Sequence, residues 1–413
     1  MARRRHHVDP EFGATLRRLR LDCAYSFRDV AELAKYGKSY LHQLETGERL
    51  PTPEAAAKLD DVLHAGGKLA AMVTVVGSGN IPRRDFVARA GLAAALPYIA
   101  PLAMGVGGRR IGAQFVTQLH HRTARLRRLD NILGGADTVA VYRAEYDGTA
   151  QAIRTATFTE RTRSALLGLL GEQAQMAGWA AFDAGLTEEA ERFYRLSLAA
   201  ADEADDKALA ANAFAFLAYQ APAGGRQAVA LAERACEIAG SDTTPLVRAL
   251  LTLRRAWAHA VADEVDATKR WLDVAEAALV DHDPRPEPDW TFWIDRTELK
   301  IMTGRCWSVL RRPARATVAL ETAMAAYADT HARDKALYLS WLADAYLDAN
   351  EVERACETAV STMNLSAGVG SVRPRQRVSA LVNRIEPHRE LPEAAETLAL
   401  ARDWLSSARQ LPA

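Results

Sequence analysis

The chain has 413 residues, 49% hydrophobic and 25% charged, which exceeds one ordinary domain and excludes intrinsic disorder and a collagen-like fold. Its four cysteines, Cys23, Cys236, Cys306 and Cys356, form no C-x-x-C pair, which argues against a disulfide framework or structural zinc and fits a reducing cytoplasm. The formal net charge of zero hides two opposite parts: residues 1–135 carry 21 Lys and Arg against 12 Asp and Glu, whereas residues 136–413 carry 31 against 40. A basic front suits a polyanion and the acidic back does not. Low aromatic content (7%) with abundant alanine favours packed helices over sheets.

From the N-terminus, Phe12, Leu16 and Leu19, with Cys23 extending the pattern, predict an amphipathic helix that turns Arg17, Arg18 and Arg20 to other faces. Ser26 is a suitable N-cap for a second helix from Phe27 to Lys35, with Val30, Leu33 and Ala34 inward. A tight connection at Tyr36-Gly37 leads to a third helix, Lys38 to Glu45, buried through Leu41 and Leu44 and ended by Gly47. Pro51 and Pro53 then open a fourth helix carrying Ala56, Leu59 and Leu63. Two short helices joined by a brief turn and braced by others is the helix-turn-helix plan.

The run Leu16-Arg17-Arg18-Leu19-Arg20, then Ser26 to Ala31, Ser39 to Gly47 and Pro51 resembles the lambda-repressor-like (Xre) DNA-binding family. The resemblance implies a five-helix-type domain over residues 1–75 whose third helix enters the major groove. It implies base contacts from Lys38, Ser39 and Gln43, with Tyr40 and His42 beside them, and phosphate contacts from Arg28, Arg49 and the Arg3-Arg4-Arg5 arm. It also implies that Glu45 pairs with Arg20. Relatives often start the second helix with a phosphate-clamping Gln; here Phe27 stands there.

Residues 76–135 are expected to hold a linker and connecting helices. Within them, Pro82-Arg83-Arg84-Asp85-Phe86-Val87 before the apolar Gly91–Val106 imitates a twin-arginine export signal. Its position after a folded domain, its shortfall from the roughly 20 residues of a membrane span, and Pro97 and Pro101 favour a packed linker instead. Gly105-Val106-Gly107-Gly108 lacks a preceding strand and a phosphate-loop lysine, and is expected to be a flexible joint. His120-His121 is expected on a helix surface.

From residue 136 onward the expectation is a repeat array. Ala190, Ala228, Ala267, Ala316, Ala355 and Ala394 recur 38 or 39 residues apart, save one interval of 49 that holds the proline-rich loop Asp281–Pro288. Each unit reads as two amphipathic helices, with small residues such as Ala177-Gly178 and Ala343 at close approaches and larger ones between. The pattern resembles the tetratricopeptide repeat, lengthened from about 34 residues, which implies an all-α solenoid with a concave binding face. Most tryptophans here, among them Trp179, Trp257, Trp271, Trp307 and Trp341, are expected to pack between repeats. Trp290 and Trp293, beside the long loop, are candidates for a ligand wall. Asn212, Tyr219, Arg254 and Arg255 are candidates to grip a peptide backbone or a carboxylate.

In its order of parts, and in the segment Gly178-Trp179 to Gly185 and the Arg83-Arg84-Asp85-Phe86 linker, the chain resembles high-GC bacterial regulators that join an Xre domain to a repeat array, a layout also used by peptide-sensing quorum regulators. This implies a cytoplasmic transcriptional regulator that binds double-stranded DNA as a homodimer and responds to a peptide, small molecule or protein partner. A different reading is a repeat scaffold that recruits a protein and binds DNA weakly, a reading favoured by Phe27. No G-x-x-x-x-G-K-[ST], G-x-S-x-G or H-E-x-x-H occurs, so no catalytic site, cofactor or metal is expected.

Overall fold

The computed structural model describes residues 5–8, 12–23, 25–46, 49, 51–63, 65, 68–76, 110–130, 133–221, 225–325, 327, 331–367 and 369–407. Gly47, the Arg83–Phe86 and Gly105–Gly108 segments and the apolar Gly91–Val106 lie outside the described residues. Among the described residues the fold is all-α apart from one short strand pair, and the chain divides into two compact units, Met1–Pro97 and Tyr98–Ala413.

The first unit is built from helices α1 (Phe12–Asp22), α2 (Phe27–Ala34), α3 (Lys38–Glu45), α4 (Pro53–Val62) and α5 (Lys68–Ala71). Ser26 caps α2 by accepting from the Arg28 and Asp29 amides, and the Asp29 carboxylate accepts from the Ser26 amide in return. This reciprocal box satisfies amides that a helix start leaves unpaired. Lys35, with φ of 54°, ends α2 in the left-handed region, and α3 follows after Gly37. Thr52 caps α4, which has Pro53 in its first turn. Phe12, Leu16, Val30, Ala34, Leu41, Leu44, Ala56, Leu59 and Leu63 form the core. Leu33, expected inward, is instead 51% exposed. In so short a helix Val30 and Ala34 already fill the inner face, and Leu33 falls outside it.

An antiparallel pair of strands, β1 (Arg5–Val8) and β2 (Val73–Val76), in register Arg5 with Val76, is not expected from the sequence. The β-branched run Val73-Thr74-Val75-Val76 favours extended chain. Arg5 is therefore part of a strand rather than of a free arm, while Arg3 and Arg4 lie outside the described residues.

The second unit opens with α6 (Ala113–Leu129) and α7 (Gly135–Thr155). Six hairpins follow: α8 (Glu160–Asp183) with α9 (Thr187–Ala204), α10 (Lys207–Gln220) with α11 (Arg226–Ala239), and α12 (Pro245–Val261) with α13 (Val265–Val280). Next come α14 (Arg296–Val309) with α15 (Pro313–Ala325), α16 (Ala332–Asp348) with α17 (Val352–Ser366), and α18 (Arg373–Ile385) with α19 (Pro392–Ser407). The six phased alanines fall in the first turn of the second helix of each hairpin. Five of them are buried; Ala267 is only half-buried, and Thr268, one residue on, takes the buried place in α13. The long interval is the loop from Asp281 and a one-turn helix at Asp289–Thr291. His120 and His121 are exposed on α6.

Four hairpins turn in the same way, with one left-handed residue at the centre of the turn: Gly185, Asp263, Arg311 and Asn350. The array then bends back on itself. The Val372 amide donates to the Asp183 carbonyl, the Ala136 amide to the Gly370 carbonyl, and Ser371 Oγ to Asp183 Oδ1 at 2.8 Å. Arg333 at the start of α16 reaches Asp130 after α6 with two hydrogen bonds, at 2.8 and 3.0 Å. The last hairpins thus meet the first helices.

Candidate nucleic-acid interface and inner cavity

Helix α3 is fixed from behind and bare in front. A Cβ on Gly13 of α1 would stand 2.6 Å from the Glu45 carbonyl oxygen, so this glycine sets how closely α1 and α3 approach. Arg20 Nε donates to Glu45 Oε1 at 2.6 Å and Arg20 Nη2 to Oε2 at 3.0 Å, a forked pair from α1 to the end of α3. Leu41 and Leu44 anchor the inner face. On the outer face Lys38, Ser39 and His42 are exposed and Gln43 is half-exposed. Tyr40 is half-buried, 5.2 Å ring to ring from Tyr36, and carries the Arg49 guanidinium at 4.8 Å over its face. Arg28 is exposed at the start of α2.

The seven residues singled out for nucleic acid therefore lie on α3, on the first turn of α2 and just after α3. Phe27 is not bare surface in place of a clamp. Its ring carries Arg20 at 4.1 Å and stands 5.9 Å from the His42 ring, so it covers the Arg20–Glu45 pair.

In the second unit, Asn212, Tyr219, Arg254, Trp290 and Trp293 all border one cavity of about 480 Å³ inside the turn of the array. Arg255 does not. On the next face of α12 it pairs with Glu233 at 2.8 Å and stacks 3.7 Å from the Trp271 ring. Adjacent helical positions point about 100° apart, which is why neighbouring arginines part company.

The cavity's polar end is a cluster around Tyr219. Its hydroxyl oxygen accepts from Arg305 Nη2 at 2.7 Å and from Arg373 Nη2 at 2.8 Å, and Arg254 lies 4.5 Å from its ring centre. Burial opposes ionisation of the phenol, but Arg305, Arg373 and Arg254 outweigh it and bring Tyr219 down to about 8. Arg305 is held between Trp257 at 4.6 Å and Trp341 at 5.6 Å, and its Nε has no partner among the described residues. Arg254 faces Trp293 at 5.4 Å. Burial lowers the Arg254 pKa.

Neither Arg254 nor Arg305 has an ion-pair partner among the described residues. The other cavity arginines do: Arg127 pairs with Glu172 and Asp289, Arg333 with Asp130 and Asp334, and Arg373 stands 3.8 Å from Asp183. Glu298 accepts from Tyr338 Oη at 3.2 Å, and burial raises it to about 7, against the pull of Arg305 and Arg254.

Sequence reasoning missed Arg305, Arg373, Glu298 and Trp179. A signal for two of them exists in the repeat phase. A Cβ on Gly178 or on Gly304 would stand 2.5 Å from the next helix (Tyr194 or Leu320), and the residue after each glycine, Trp179 or Arg305, lines the cavity. Phe216 lines it in the same way after the buried Ala215.

A family model described as a helix-turn-helix domain matches residues 11–72. No curated protein matched the chain. No described helix is long and apolar enough to cross a membrane.

Proposed function

We propose that the chain is a cytoplasmic, sequence-specific transcriptional regulator that binds double-stranded DNA as a homodimer, with its helical-hairpin unit sensing an effector. The observation that carries this reading is α3: a short helix locked at its back through Arg20–Glu45 and Gly13 that offers Lys38, Ser39, His42 and Gln43 to solvent. The helix-turn-helix match over residues 11–72 supports it. Lys38 suits guanine O6 and N7 and Gln43 suits adenine N6 and N7, while Arg28 and Arg49 suit phosphate. One such helix reads only a few base pairs, so two copies on half-sites about one helical turn apart are required for useful specificity. No catalytic role belongs to this reading. The scaffold alternative rests on Phe27 in place of a phosphate clamp; Phe27 packs over Arg20, and DNA binding itself decides between the two readings.

The test is fluorescence anisotropy of the full chain on genomic fragments at several salt concentrations. Counterion release predicts a steep negative slope, about −0.9 per phosphate contacted. Lys38→Ala and Gln43→Ala are each expected to lower operator preference by about 1–3 kcal/mol, with smaller losses on random DNA. A flat salt dependence, or equal losses on operator and random sequence, overturns base reading by α3.

A further inference from the structure

The cavity in the second unit holds a charge arrangement that packing alone does not account for. Arg254 and Arg305 are only 8% and 3% exposed, yet neither has a carboxylate partner among the described residues. A buried cation is costly unless it is paired, and the cavity's other arginines are paired. What meets these two guanidiniums is aromatic surface, Tyr219 and an acid, Glu298, that burial keeps largely protonated below neutral pH. A delocalised anion would satisfy the Arg254 guanidinium and the outer edge of Arg373 together, while Arg305 holds the Tyr219 hydroxyl between them.

The walls set the rest of the ligand. Trp179, Phe216, Trp290 and Trp293 line the same space, and such rings favour a planar aromatic body packed offset or edge-on against them. A volume of about 480 Å³ falls in the range of small-molecule sites, roughly 300–1,000 Å³. The array bends back through Asp183, Val372, Asp130 and Arg333, so residues from both of its ends, Asp130 and Arg373 among them, border this same space.

We propose that this cavity binds a small aromatic carboxylate, its charged end on Arg254 and Arg373 beside the Tyr219 hydroxyl that Arg305 holds, and its ring against Trp293. This specifies the effector of the proposed regulator, and so rests on the sensing half of that reading. Arg255, one residue along the same helix, plays no part in it. Binding places a negative charge beside Tyr219, so the bound ligand also makes that phenol harder to ionise.

The experiment is calorimetric titration of the full chain, without DNA, against three isosteric probes: naphthoate, naphthamide and naphthylmethylammonium. Naphthoate is expected to bind, the amide roughly thirtyfold or more weakly, and the cation not at all. Arg254→Gln and Arg373→Gln each lower naphthoate affinity by a similar factor, whereas Arg255→Gln leaves it unchanged. Charge selectivity in the unaltered protein stands even where an arginine variant fails to fold. Its second signature is an upward move of the Tyr219 titration on saturation with naphthoate. Equal binding of acid and amide, or no binding of naphthoate at millimolar concentration, overturns the assignment. DNA binding is measured separately, so a chain that binds DNA with a steep salt slope but ignores naphthoate loses only this inference.

Discussion

Arg20 and Glu45 are joined by two hydrogen bonds, 2.6 and 3.0 Å long, although 25 residues separate them in the chain. Their side chains are 10% and 6% exposed, and the Phe27 ring covers the guanidinium. Losing one member leaves a nearly buried charge without a partner, so Glu45→Ala is expected to destabilise the first unit by about 3 kcal/mol. The double change Arg20→Met with Glu45→Leu is expected to cost less than either single change, since no orphan charge remains. All eight tryptophans lie in the second unit. Far-ultraviolet circular dichroism therefore sees the shifted transition while tryptophan fluorescence does not. A fluorescence transition that moves with Glu45→Ala contradicts the prediction.

That pair also marks what was legible in the sequence. The helix starts of the first unit were readable because their punctuation is local: Ser26 and Asp29 cap α2, and Pro53 opens α4. The hairpins were readable because one close helix approach repeats, and an alanine marks it in five of six cases. The strand pair was not, since β1 is the unremarkable run Arg5-His6-His7-Val8 and gains its partner only at Val73–Val76. The cavity was half legible. Trp290, Trp293, Tyr219, Arg254 and Asn212 stood out by residue type, but their convergence with Arg305 and Arg373 depends on how the array curves and closes. Curvature is a sum of small rotations between hairpins, and no single residue encodes it. Arg255 shows the same limit from the other side: identical chemistry one position away faces Trp271 and Glu233.

Tyr219 offers a spectroscopic test of the cluster. Arg254 of α12, Arg305 of α14 and Arg373 of α18 face it, with Glu298 of α14 close to the first two of these arginines. Its phenolate absorbance is expected to appear at about 8, below ordinary tyrosines near 10, and to vanish in Tyr219→Phe. The sign for stability follows from linkage. A depressed folded-state pKa adds stability that is fully present above the unfolded value and is lost as pH falls through about 8. The stability difference between the native chain and Tyr219→Phe is therefore expected to widen as pH rises from about 8 toward 10, by an amount on the order of 2 kcal/mol. A difference that is constant across that window means the three guanidiniums do not act on the phenol.

Two glycines of one helix are expected to respond oppositely to alanine. Gly168 in α8 has nothing within 4 Å of where a Cβ would sit. Gly168→Ala removes backbone freedom from the unfolded chain without a clash, and is expected to stabilise by about 0.5–1 kcal/mol. At Gly178 the added carbon would stand 2.5 Å from Tyr194 Cε1. That ring cannot retreat, because it is buried and stacked on Phe216 at 4.9 Å. Overpacking of this kind costs about 1–3 kcal/mol, more than the helix gains, so Gly178→Ala is expected to be net destabilising. It also pushes α8 from α9 next to Trp179, which shifts the tryptophan emission of the cavity wall. Thermal unfolding of the two variants side by side checks both signs. A stabilised Gly178→Ala means that α8 and α9 do not approach as closely as this contact requires, and the phase that puts Trp179 and Arg305 into the cavity then loses its footing.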